Sequence, residues 1–526
     1  MNDYYNKSNW TIDSVIRSRA VTYCKKPLCE FEGETITYQD ALLDGSRVAN
    51  FLNDLGVGPN DYVGVMLDNT AQFCQCWFGL SIHGSVLVAI NTAYKGAFLS
   101  HVLNNSKARI LFVESEYADH ILQIADDLQY LHTIVVQGLA HGISSRFQVR
   151  QFSEFEDFKS SYAKASITYR DTACVMYTSG TTGPSKGVVM PHAHIYLFGL
   201  GTITHMGLNE NDRFYIVLPL FHANGLFMQL YATMIAGATA FIRKRFSASS
   251  WLHDLKKHNL TITNSLGTVA AYVLNQPASK LDKDHQLRIM SLAPTSEAME
   301  LSLKERFGIK SVVGLYGMTE INIPLYAVDG ISPPGSCGRV WDEFYEVRVV
   351  DELTDEIVAE NEIGEFVIRP RQPYAFMSGY VNMPDKTIEA WRNFWFHTGD
   401  AVRIDAGGNV FFVDRIKDCI RRKGENISSF EIESALLGFH GVEEIAAYAV
   451  PADLEGTEDE VMVAIVPVDN TLNLNDLYEY SIDVLPVFAV PRFYRLIPEL
   501  PKTPTGKVQK MVLKKEGTML ADLNVG

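Results

Sequence analysis

The order of apolar and polar positions along the first third of the chain alternates between two periods. Apolar residues three and four positions apart, as in residues 38–55, are typical of an amphipathic helix, and short apolar runs such as residues 62–67 are typical of buried strands. The predicted helices cover residues 38–55, 98–105 and 118–131, and the predicted strands cover residues 62–67, 85–90, 109–113 and 133–136. Strands that alternate with helices form parallel sheets covered by those helices, so this region is predicted to be α/β.

The same rhythm returns further along the chain and then changes. Residues 214–242 and 288–292 repeat the strand and helix pattern, which predicts a second α/β layer. After Pro333 the chain reads as short alternating strands, at residues 345–350 and 364–369, which predicts a β-barrel-like or antiparallel subdomain. The large N-terminal domain is therefore expected to contain two layered α/β subdomains and this third, smaller one.

A charged segment after the predicted strand at residues 409–413 indicates a domain boundary. At 526 residues the chain exceeds what one core usually supports. We expect an N-terminal domain of residues 1–413, a hinge at residues 414–418 and a small, mobile α+β domain of residues 419–526.

Composition narrows the class of protein. Hydrophobic residues make up 47% of the chain and charged residues 21%, as in ordinary globular proteins. The excess of 62 acidic over 46 basic residues gives a formal charge of -16, which argues against non-specific nucleic-acid binding. No stretch approaches the roughly 18 apolar residues that span a membrane, and the N-terminus lacks a secretory pattern. We therefore expect a cytoplasmic protein without an integral membrane segment, and the seven scattered cysteines are predicted to be reduced thiols.

The segment TSGTTGPSKG at residues 178–187 is the strongest single signal in the sequence. Its glycines let the backbone approach a ligand, its hydroxyl groups donate hydrogen bonds, and its lysine adds a positive charge. The candidate phosphate-binding residues are Thr178, Ser179, Gly180, Thr181, Thr182, Gly183 and Lys186. The segment is not a Walker loop, because Lys186 is followed by Gly187 rather than by a hydroxyl residue. Alone, it favours a polyphosphate site over a flexible surface loop.

Four further motifs follow this loop along the chain. They are Tyr316-Gly317-Met318-Thr319-Glu320, His397-Thr398-Gly399-Asp400, the segment Asp414-Arg415-Ile416-Lys417-Asp418, and Pro504-Thr505-Gly506-Lys507. In this order, from about Ile36 to Lys510, the set resembles the adenylate-forming superfamily of acyl-CoA synthetases, peptide-synthetase adenylation domains and beetle luciferases. The resemblance implies a mobile phosphate loop at residues 178–187 and an enzyme that uses ATP.

The resemblance also implies roles in the nucleotide site. The aromatic ring of Tyr316, beside Gly317, is expected to lie against adenine. Thr319 is expected to meet the α-phosphate, and Glu320 to help hold Mg²⁺. Read without the resemblance, this segment is a turn after a buried strand.

The remaining motifs imply roles at the ribose and at the reacting carboxylate. Asp400 and Arg415 are expected to reach the ribose hydroxyl groups, since a carboxylate is a strong acceptor. Lys417 stands at the hinge position between the two domains. Lys507 matches the lysine that bridges the α-phosphate and the activated carboxylate, although a tail lysine by itself is usually solvated.

The acyl and thiol sites are implied more loosely. The segment at residues 219–225, PLFHANG, aligns with the acyl site, and His222 is expected to gate or line the thiol channel, with a buried core histidine as the alternative. The loop that contains Lys423 and Gly424 is expected to help form that channel. Segment 219–225 has no following acidic residue of the kind that anchors an amino acid, and we expect no carrier domain after Lys510. Both points favour a free-standing ligase that transfers the acyl group to coenzyme A.

These features predict an ATP-, Mg²⁺- and coenzyme A-dependent ligase of a small or medium carboxylic acid. Residues 306–309, 336–340 and 423–428 are most like the crotonobetaine/carnitine-CoA ligase branch, although Ser428 departs from its pattern. The sequence leaves the acid open, and a homodimer remains open as well. The alternatives are a luciferase-like oxygenase, acyl transfer to a carrier protein or amine, and a non-enzymatic binding relative, which we expect to have lost Lys507, Glu320 or Asp400.

Overall fold

The computed structural model describes residues 4–139, 146–178, 184–416, 420–422, 425–427, 429–451, 459–469, 471–485, 489–503 and 506–525. The helices are α1 (Ile12–Tyr23), α2 (Tyr38–Asp54), α3 (Ala71–His83), α4 (Gly96–Ser106), α5 (Ala118–Leu122), α6 (His192–Met206), α7 (Ala232–Ala236), α8 (Trp251–Lys257), α9 (Gly267–Leu274), α10 (Glu297–Phe307), α11 (Pro384–Ala390), α12 (Ser429–Leu436), α13 (Leu474–Val484) and α14 (Lys510–Glu516).

The strands follow the alternation that the sequence predicts. They are β1 (Pro27–Glu30), β2 (Thr35–Thr37), β3 (Tyr62–Met66), β4 (Val86–Ala89), β5 (Ile110–Glu114), β6 (Thr133–Gln137), β7 (Gln148–Gln151), β8 (Thr172–Thr178), β9 (Lys186–Pro191), β10 (Arg213–Ile216), β11 (Thr239–Ile242), β12 (Ile262–Leu266), β13 (Ile289–Ala293), β14 (Ser311–Met318), β15 (Asn322–Tyr326), β16 (Arg339–Val340), β17 (Tyr345–Val350), β18 (Gly364–Pro370), β19 (Gly379–Tyr380), β20 (Phe396–Ile404), β21 (Val410–Arg415), β22 (Ile420–Arg422), β23 (Glu425–Ile427), β24 (Val442–Val450), β25 (Glu460–Pro467), β26 (Phe493–Leu496) and β27 (Leu523–Asn524).

The chain divides into two compact units, Met1–Glu346 with Pro370–Glu389, and Val347–Arg369 with Ala390–Gly526. We call them the first and second units. The predicted division into 1–413, a hinge at 414–418 and 419–526 stays a prediction.

The first unit contains the two predicted α/β layers. One sheet has the order β19-β9-β8-β4-β3-β5-β6-β7, and its strands β3 to β8 pair in parallel. The other has the order β16-β15-β14-β13-β12-β10-β11-β1-β2. Its six central strands, β14, β13, β12, β10, β11 and β1, pair in parallel. Helix α6 is apolar on nearly all sides and contacts β8 of one sheet and β15 of the other, so it is buried between layers.

One predicted helix of this unit is wrong. The sequence predicts a helix over residues 118–131, but α5 ends at Leu122 and a 3-10 turn follows at Ala125–Asp127. Ile124 and Asp127 donate to carbonyls three residues back, and the side chains of Ile121, Ile124 and Leu128 lie in the hydrophobic core. Burial of those apolar side chains overrides the local helical preference.

The second unit contains the small sheets. Strands β17, β18, β20 and β21 form an open four-stranded sheet in which β20 is antiparallel to both β18 and β21, so the barrel-like expectation is corrected to an antiparallel sheet that is not closed. Strands β24 to β27 form a second four-stranded sheet, covered by α12 and α13 as in the predicted α+β domain.

Two further expectations concern the whole chain. In the part of the chain that the structure describes, no helix is long and apolar enough to cross a membrane. Six of the seven cysteines are described, and all six are free thiols, as predicted, while Cys419 lies outside the described residues.

Candidate active site

The phosphate loop connects two neighbouring antiparallel strands. Thr178 ends β8 directly opposite Lys186, which begins β9. Gly187 lies over the ring of Tyr177, where a Cβ atom would come within 2.9 Å of that ring. The candidates Ser179, Gly180, Thr181, Thr182 and Gly183 lie outside the described residues. The structure therefore places the two ends of the loop at the carboxyl end of β8, which is where ligands bind in open α/β sheets.

Lys186 and Glu320 are joined through a tyrosine that the sequence analysis did not select. The Lys186 Nζ atom lies 3.3 Å from the Tyr380 hydroxyl and 4.4 Å from the centre of its ring. That hydroxyl donates to Glu320 Oε1 across 3.0 Å. The phosphate-loop lysine and the expected metal carboxylate are thus one side chain apart.

The surroundings of Glu320 fit a divalent cation. Its carboxylate is 5% exposed, and no basic side chain among the described residues forms an ion pair with it. A buried carboxylate that lacks a cationic partner is costly, and carboxylate oxygens suit Mg²⁺. Glu320 is therefore the residue that would hold the ion, and Thr319 keeps its expected role at the α-phosphate.

The expected adenine segment forms a tight turn between β14 and β15. Tyr316 is buried near the end of β14, and a Cβ atom at Gly317 would come within 2.3 Å of the Asn322 carbonyl oxygen. Asn322 takes a positive φ of 72° and donates to the backbone of His194. The glycine is therefore required here by close backbone approach.

His194 supports the same turn from α6. Its Nε2 atom donates to the carbonyl oxygen of Thr319 across 2.9 Å. Burial lowers the pKa of His194 to about 4, so the ring is neutral at pH 7 and adds no charge to the phosphate site.

His222 lies in the middle of the segment, residues 219–225, that we expect to line the acyl site. Its ring packs edge-on against Phe221 at 4.8 Å, and a π-helix (Asn224–Tyr231) follows. Gly225 allows this turn, because a Cβ atom there would lie 2.4 Å from the Pro219 carbonyl oxygen. Burial lowers the pKa of His222 to about 4. A neutral ring can form a wall or a gate, but it cannot offset the charge of an acid.

Aromatic rings can bind a trimethylammonium group, and three aromatic residues of the first unit lie in different surroundings. Phe227 is buried against Phe198, and Trp341 packs against His205 and Phe344. Tyr272 is 54% exposed on α9. Among the described residues, no ring contact joins any two of these three side chains.

The second unit holds the expected ribose residues as a pair. Asp400 on β20 lies directly opposite Arg415 on β21, and Arg415 Nε is 2.8 Å from Asp400 Oδ1. Asp400 is 2% exposed, whereas Arg415 is half-buried and also donates to the Thr398 carbonyl oxygen at 3.2 Å. The pair presents an acceptor and a donor together, as two ribose hydroxyl groups require.

Glu365 on β18 fixes the turn that carries Asp400, and the sequence analysis did not identify it. Its two carboxylate oxygens accept hydrogen bonds from the Gly399 N–H at 3.0 Å and from the His397 ring at 2.9 Å. The Thr398 hydroxyl donates to the Phe366 carbonyl oxygen at 2.6 Å. The available signal was an acidic residue directly before the apolar run of residues 366–368.

Lys507 lies on a tight turn near the end of the second unit. The Thr503 N–H donates to the Lys507 carbonyl oxygen, the Lys507 N–H donates to the Thr503 hydroxyl oxygen, and Lys507 is exposed. Lys417, Lys423 and Gly424 lie outside the described residues. The structure therefore gives the position of the tail lysine within its own unit and leaves the hinge and thiol-channel roles as predictions.

Comparison with known proteins agrees with these motifs. Residues 16–381, more than half of the chain, match the AMP-binding enzyme family, and residues 431–507 match the AMP-binding enzyme C-terminal domain. The chain is 28% identical over 505 residues to the crotonobetaine/carnitine–CoA ligase of Salmonella enteritidis, covering 92% of this chain and 94% of that one.

The chain is also similar to solved structures of CoA ligases. The anthranilate CoA ligase AuaEII in complex with anthranoyl-AMP is 25% identical with a TM-score of 0.86, covering 96% of both chains. A benzoate CoA ligase from Burkholderia xenovorans is 25% identical with a TM-score of 0.82, covering 95% of this chain and 98% of that chain.

The chain therefore belongs to the AMP-binding enzyme family of adenylate-forming proteins. Within it, the protein is an AMP-forming acid–thiol ligase, which uses ATP to adenylate a carboxylic acid and takes coenzyme A as the thiol substrate.

Proposed function

We propose that this ligase activates a small or medium carboxylic acid in a Mg²⁺-dependent reaction and completes two half-reactions by domain rotation. The main support is that the buried carboxylate of Glu320 and the ammonium group of Lys186 are both hydrogen-bonded to the Tyr380 hydroxyl. A metal-holding anion beside a phosphate-holding cation is the arrangement that ATP chemistry needs.

In the first half-reaction, a carboxylate oxygen of the acid attacks the α-phosphorus of ATP. The bond from that phosphorus to the bridging oxygen breaks, which gives acyl-AMP and pyrophosphate. Negative charge builds up on the phosphoryl oxygens, and Lys507 is the residue assigned to offset it there. Bound Mg²⁺ would supply further positive charge at the phosphates. Lys186 is assigned to the departing pyrophosphate.

In the second half-reaction, the thiolate of coenzyme A attacks the acyl carbon and AMP leaves. We propose that rotation at the hinge, near Lys417, removes Lys507 and brings the loop of Lys423 and Gly424 to the acyl-AMP. The neutral ring of His222 is proposed to line the path of the thiol. Neither a cytoplasmic location nor a homodimer is tested by these observations, and both stay predictions.

The identity of the acid is the open part of this proposal. The similarity to crotonobetaine/carnitine–CoA ligases supports a carnitine-like acid, whereas the similarity to anthranilate and benzoate CoA ligases supports an aromatic acid. We therefore keep both acid classes in the test.

A panel of carboxylic acids, scored for AMP release with and without coenzyme A, tests the proposal. The panel contains crotonobetaine, carnitine, benzoate, anthranilate and short aliphatic acids. We expect at least one acid to give AMP release that rises with coenzyme A and requires Mg²⁺. AMP release that needs an amine rather than coenzyme A would contradict the acceptor, and light emission with oxygen would favour the oxygenase alternative.

A further inference from the structure

Tyr380 makes two hydrogen bonds whose directions are fixed by chemistry. The ammonium group of Lys186 can only donate, so the Tyr380 hydroxyl accepts from it at 3.3 Å. The hydroxyl proton is then directed to Glu320 Oε1, at 3.0 Å. The ring of Tyr380 also lies under the ammonium group, at 4.4 Å, where the aromatic face attracts a cation.

Backbone hydrogen bonds hold Tyr380 against both of its partners. Tyr380 pairs with Val188 in the sheet, and the next N–H, of Val381, donates to the Gly187 carbonyl oxygen at 2.8 Å. On the other side, the Met377 N–H donates to the carbonyl oxygen of Glu320 itself at 3.0 Å. Segment 377–381 is therefore hydrogen-bonded both to Gly187, at the end of the phosphate loop, and to the backbone of Glu320, the expected metal residue.

Burial makes this link rigid. Tyr380 is 6% exposed and Glu320 5%. Hydrogen bonds to charged groups strengthen when water is excluded, and a ring held by packing loses little further freedom when it forms them. The hydroxyl thus fixes one oxygen of the carboxylate.

We propose that Tyr380 is a positioning residue that couples the phosphate-loop lysine to the metal-holding carboxylate. It orients Glu320 toward Mg²⁺ and holds Lys186 beside it, so that the ion and the phosphates are bound together. This inference rests on the proposed function, since it assigns Glu320 to Mg²⁺ and Lys186 to phosphate.

Equilibrium binding of a fluorescent ATP analogue, titrated with Mg²⁺ in the absence of any acid, tests the link without turnover. Tyr380→Phe keeps the ring and removes the hydroxyl. Loss of a side chain that orients a metal ligand typically costs about 10–100-fold in metal affinity. We expect the Mg²⁺ concentration at half-saturation to rise by about that factor, with a smaller change in nucleotide binding without Mg²⁺.

Tyr215→Phe is the matched control. It also removes a hydrogen bond from a buried tyrosine to a carboxylate in the first unit, that of Asp254 at 2.6 Å. We expect this variant to titrate like the wild type. A folded Tyr380→Phe protein that also titrates like the wild type overturns the inference, and thermal melting establishes that it is folded.

Lys186→Met provides a second, independent test, including the case in which Tyr380→Phe does not fold. If Lys186 contacts phosphate alone, its loss lowers nucleotide affinity by the same factor at every Mg²⁺ concentration. If Lys186 is coupled to Glu320 through Tyr380, its loss shifts the Mg²⁺ dependence as well. In the double variant that combines Tyr380→Phe with Lys186→Met, the two effects are then less than multiplicative. A uniform loss with Lys186→Met, or fully multiplicative effects, contradicts the coupling.

Different experimental results would overturn the proposed function and the proposed role of Tyr380. If the wild type shows no Mg²⁺-dependent nucleotide binding and no acid-dependent AMP release, both are overturned. If the wild type shows both activities but the Tyr380 and Lys186 variants show no shift in Mg²⁺ dependence, only the inference about Tyr380 is overturned.

Discussion

The guanidinium Nε of Arg415 lies 2.8 Å from the buried carboxylate of Asp400, on the neighbouring strand of the open sheet. The two residues are 15 positions apart in sequence, and the turn between β20 and β21 brings them opposite each other. A carboxylate that is paired with a guanidinium group is held in one orientation. We expect the pair to meet the ribose hydroxyl groups in this arrangement.

Asp400→Asn is expected to weaken ATP binding. The change removes a charged acceptor and leaves Arg415 without its carboxylate partner. Hydrogen bonds to charged groups are worth about 1.5–3 kcal/mol, so the Kd for ATP should rise about 10–100-fold in calorimetric titration. Glu362→Gln, which alters an exposed carboxylate of the same unit, is the control and should leave the Kd unchanged. An unchanged Kd in a folded Asp400→Asn protein would remove Asp400 from the nucleotide site.

Lys507→Ala should separate the two half-reactions. Without this ammonium group, acid-dependent ATP–pyrophosphate exchange should fall by about 10²–10³-fold, while thioester formation from a supplied acyl-adenylate is spared. Lys502→Ala, in the same exposed tail but paired with Glu444, is the control. Equal loss of both steps would contradict the assignment of Lys507 to adenylation alone.

Gly317→Ala should disturb the turn that carries Thr319 and Glu320. A Cβ atom would lie 2.3 Å from both the Asn322 carbonyl oxygen and the Ile323 side chain, so the backbone must shift. Overpacking of this kind costs about 1–3 kcal/mol, which thermal melting should detect, and nucleotide binding should weaken. Gly58→Ala, where the nearest atom is 3.4 Å away, should have little effect on either measurement.

Stability should fall as the pH drops from about 6.5 toward 4, because His194 is buried in its neutral form. Its folded pKa of about 4 lies below its ordinary value, so the unfolded chain binds the proton first over this range. Each pKa unit is worth about 1.4 kcal/mol, so the contribution of His194, complete above pH 6.5, falls by up to about 3 kcal/mol at pH 4.

His194→Gln tests this pH dependence, because the glutamine amide keeps a donor for the Thr319 carbonyl oxygen but does not titrate. We expect a flatter dependence of the melting temperature on pH than in the wild type. His253→Gln, at an exposed position, should retain the wild-type slope. An identical slope in the His194 variant would show that other groups cause the acid sensitivity.

Local patterns predict the elements of this fold well. Residues 38–55 correspond to α2, which ends at Asp54, and residues 345–350 correspond to β17. Such patterns succeed because one amphipathic face or one apolar run is enough to define them. They fail at residues 118–131, where Ile121 reaches the core from α5 and Ile124 and Leu128 reach it from either side of a 3-10 turn, instead of from one continuous helix.

By itself, the sequence determined the kinds of chemistry present: a glycine- and hydroxyl-rich loop with Lys186, an acidic residue after Tyr316, and a lysine in the tail. Only the tertiary structure decided which groups meet. Tyr380 lies 194 residues from Lys186 and 60 from Glu320, yet its hydroxyl contacts both. Periodicity reports which face of an element is buried, whereas sheet order and register decide which distant side chains share that face. For this reason the sequence could indicate Lys186 and Glu320 separately, but not the tyrosine that joins them.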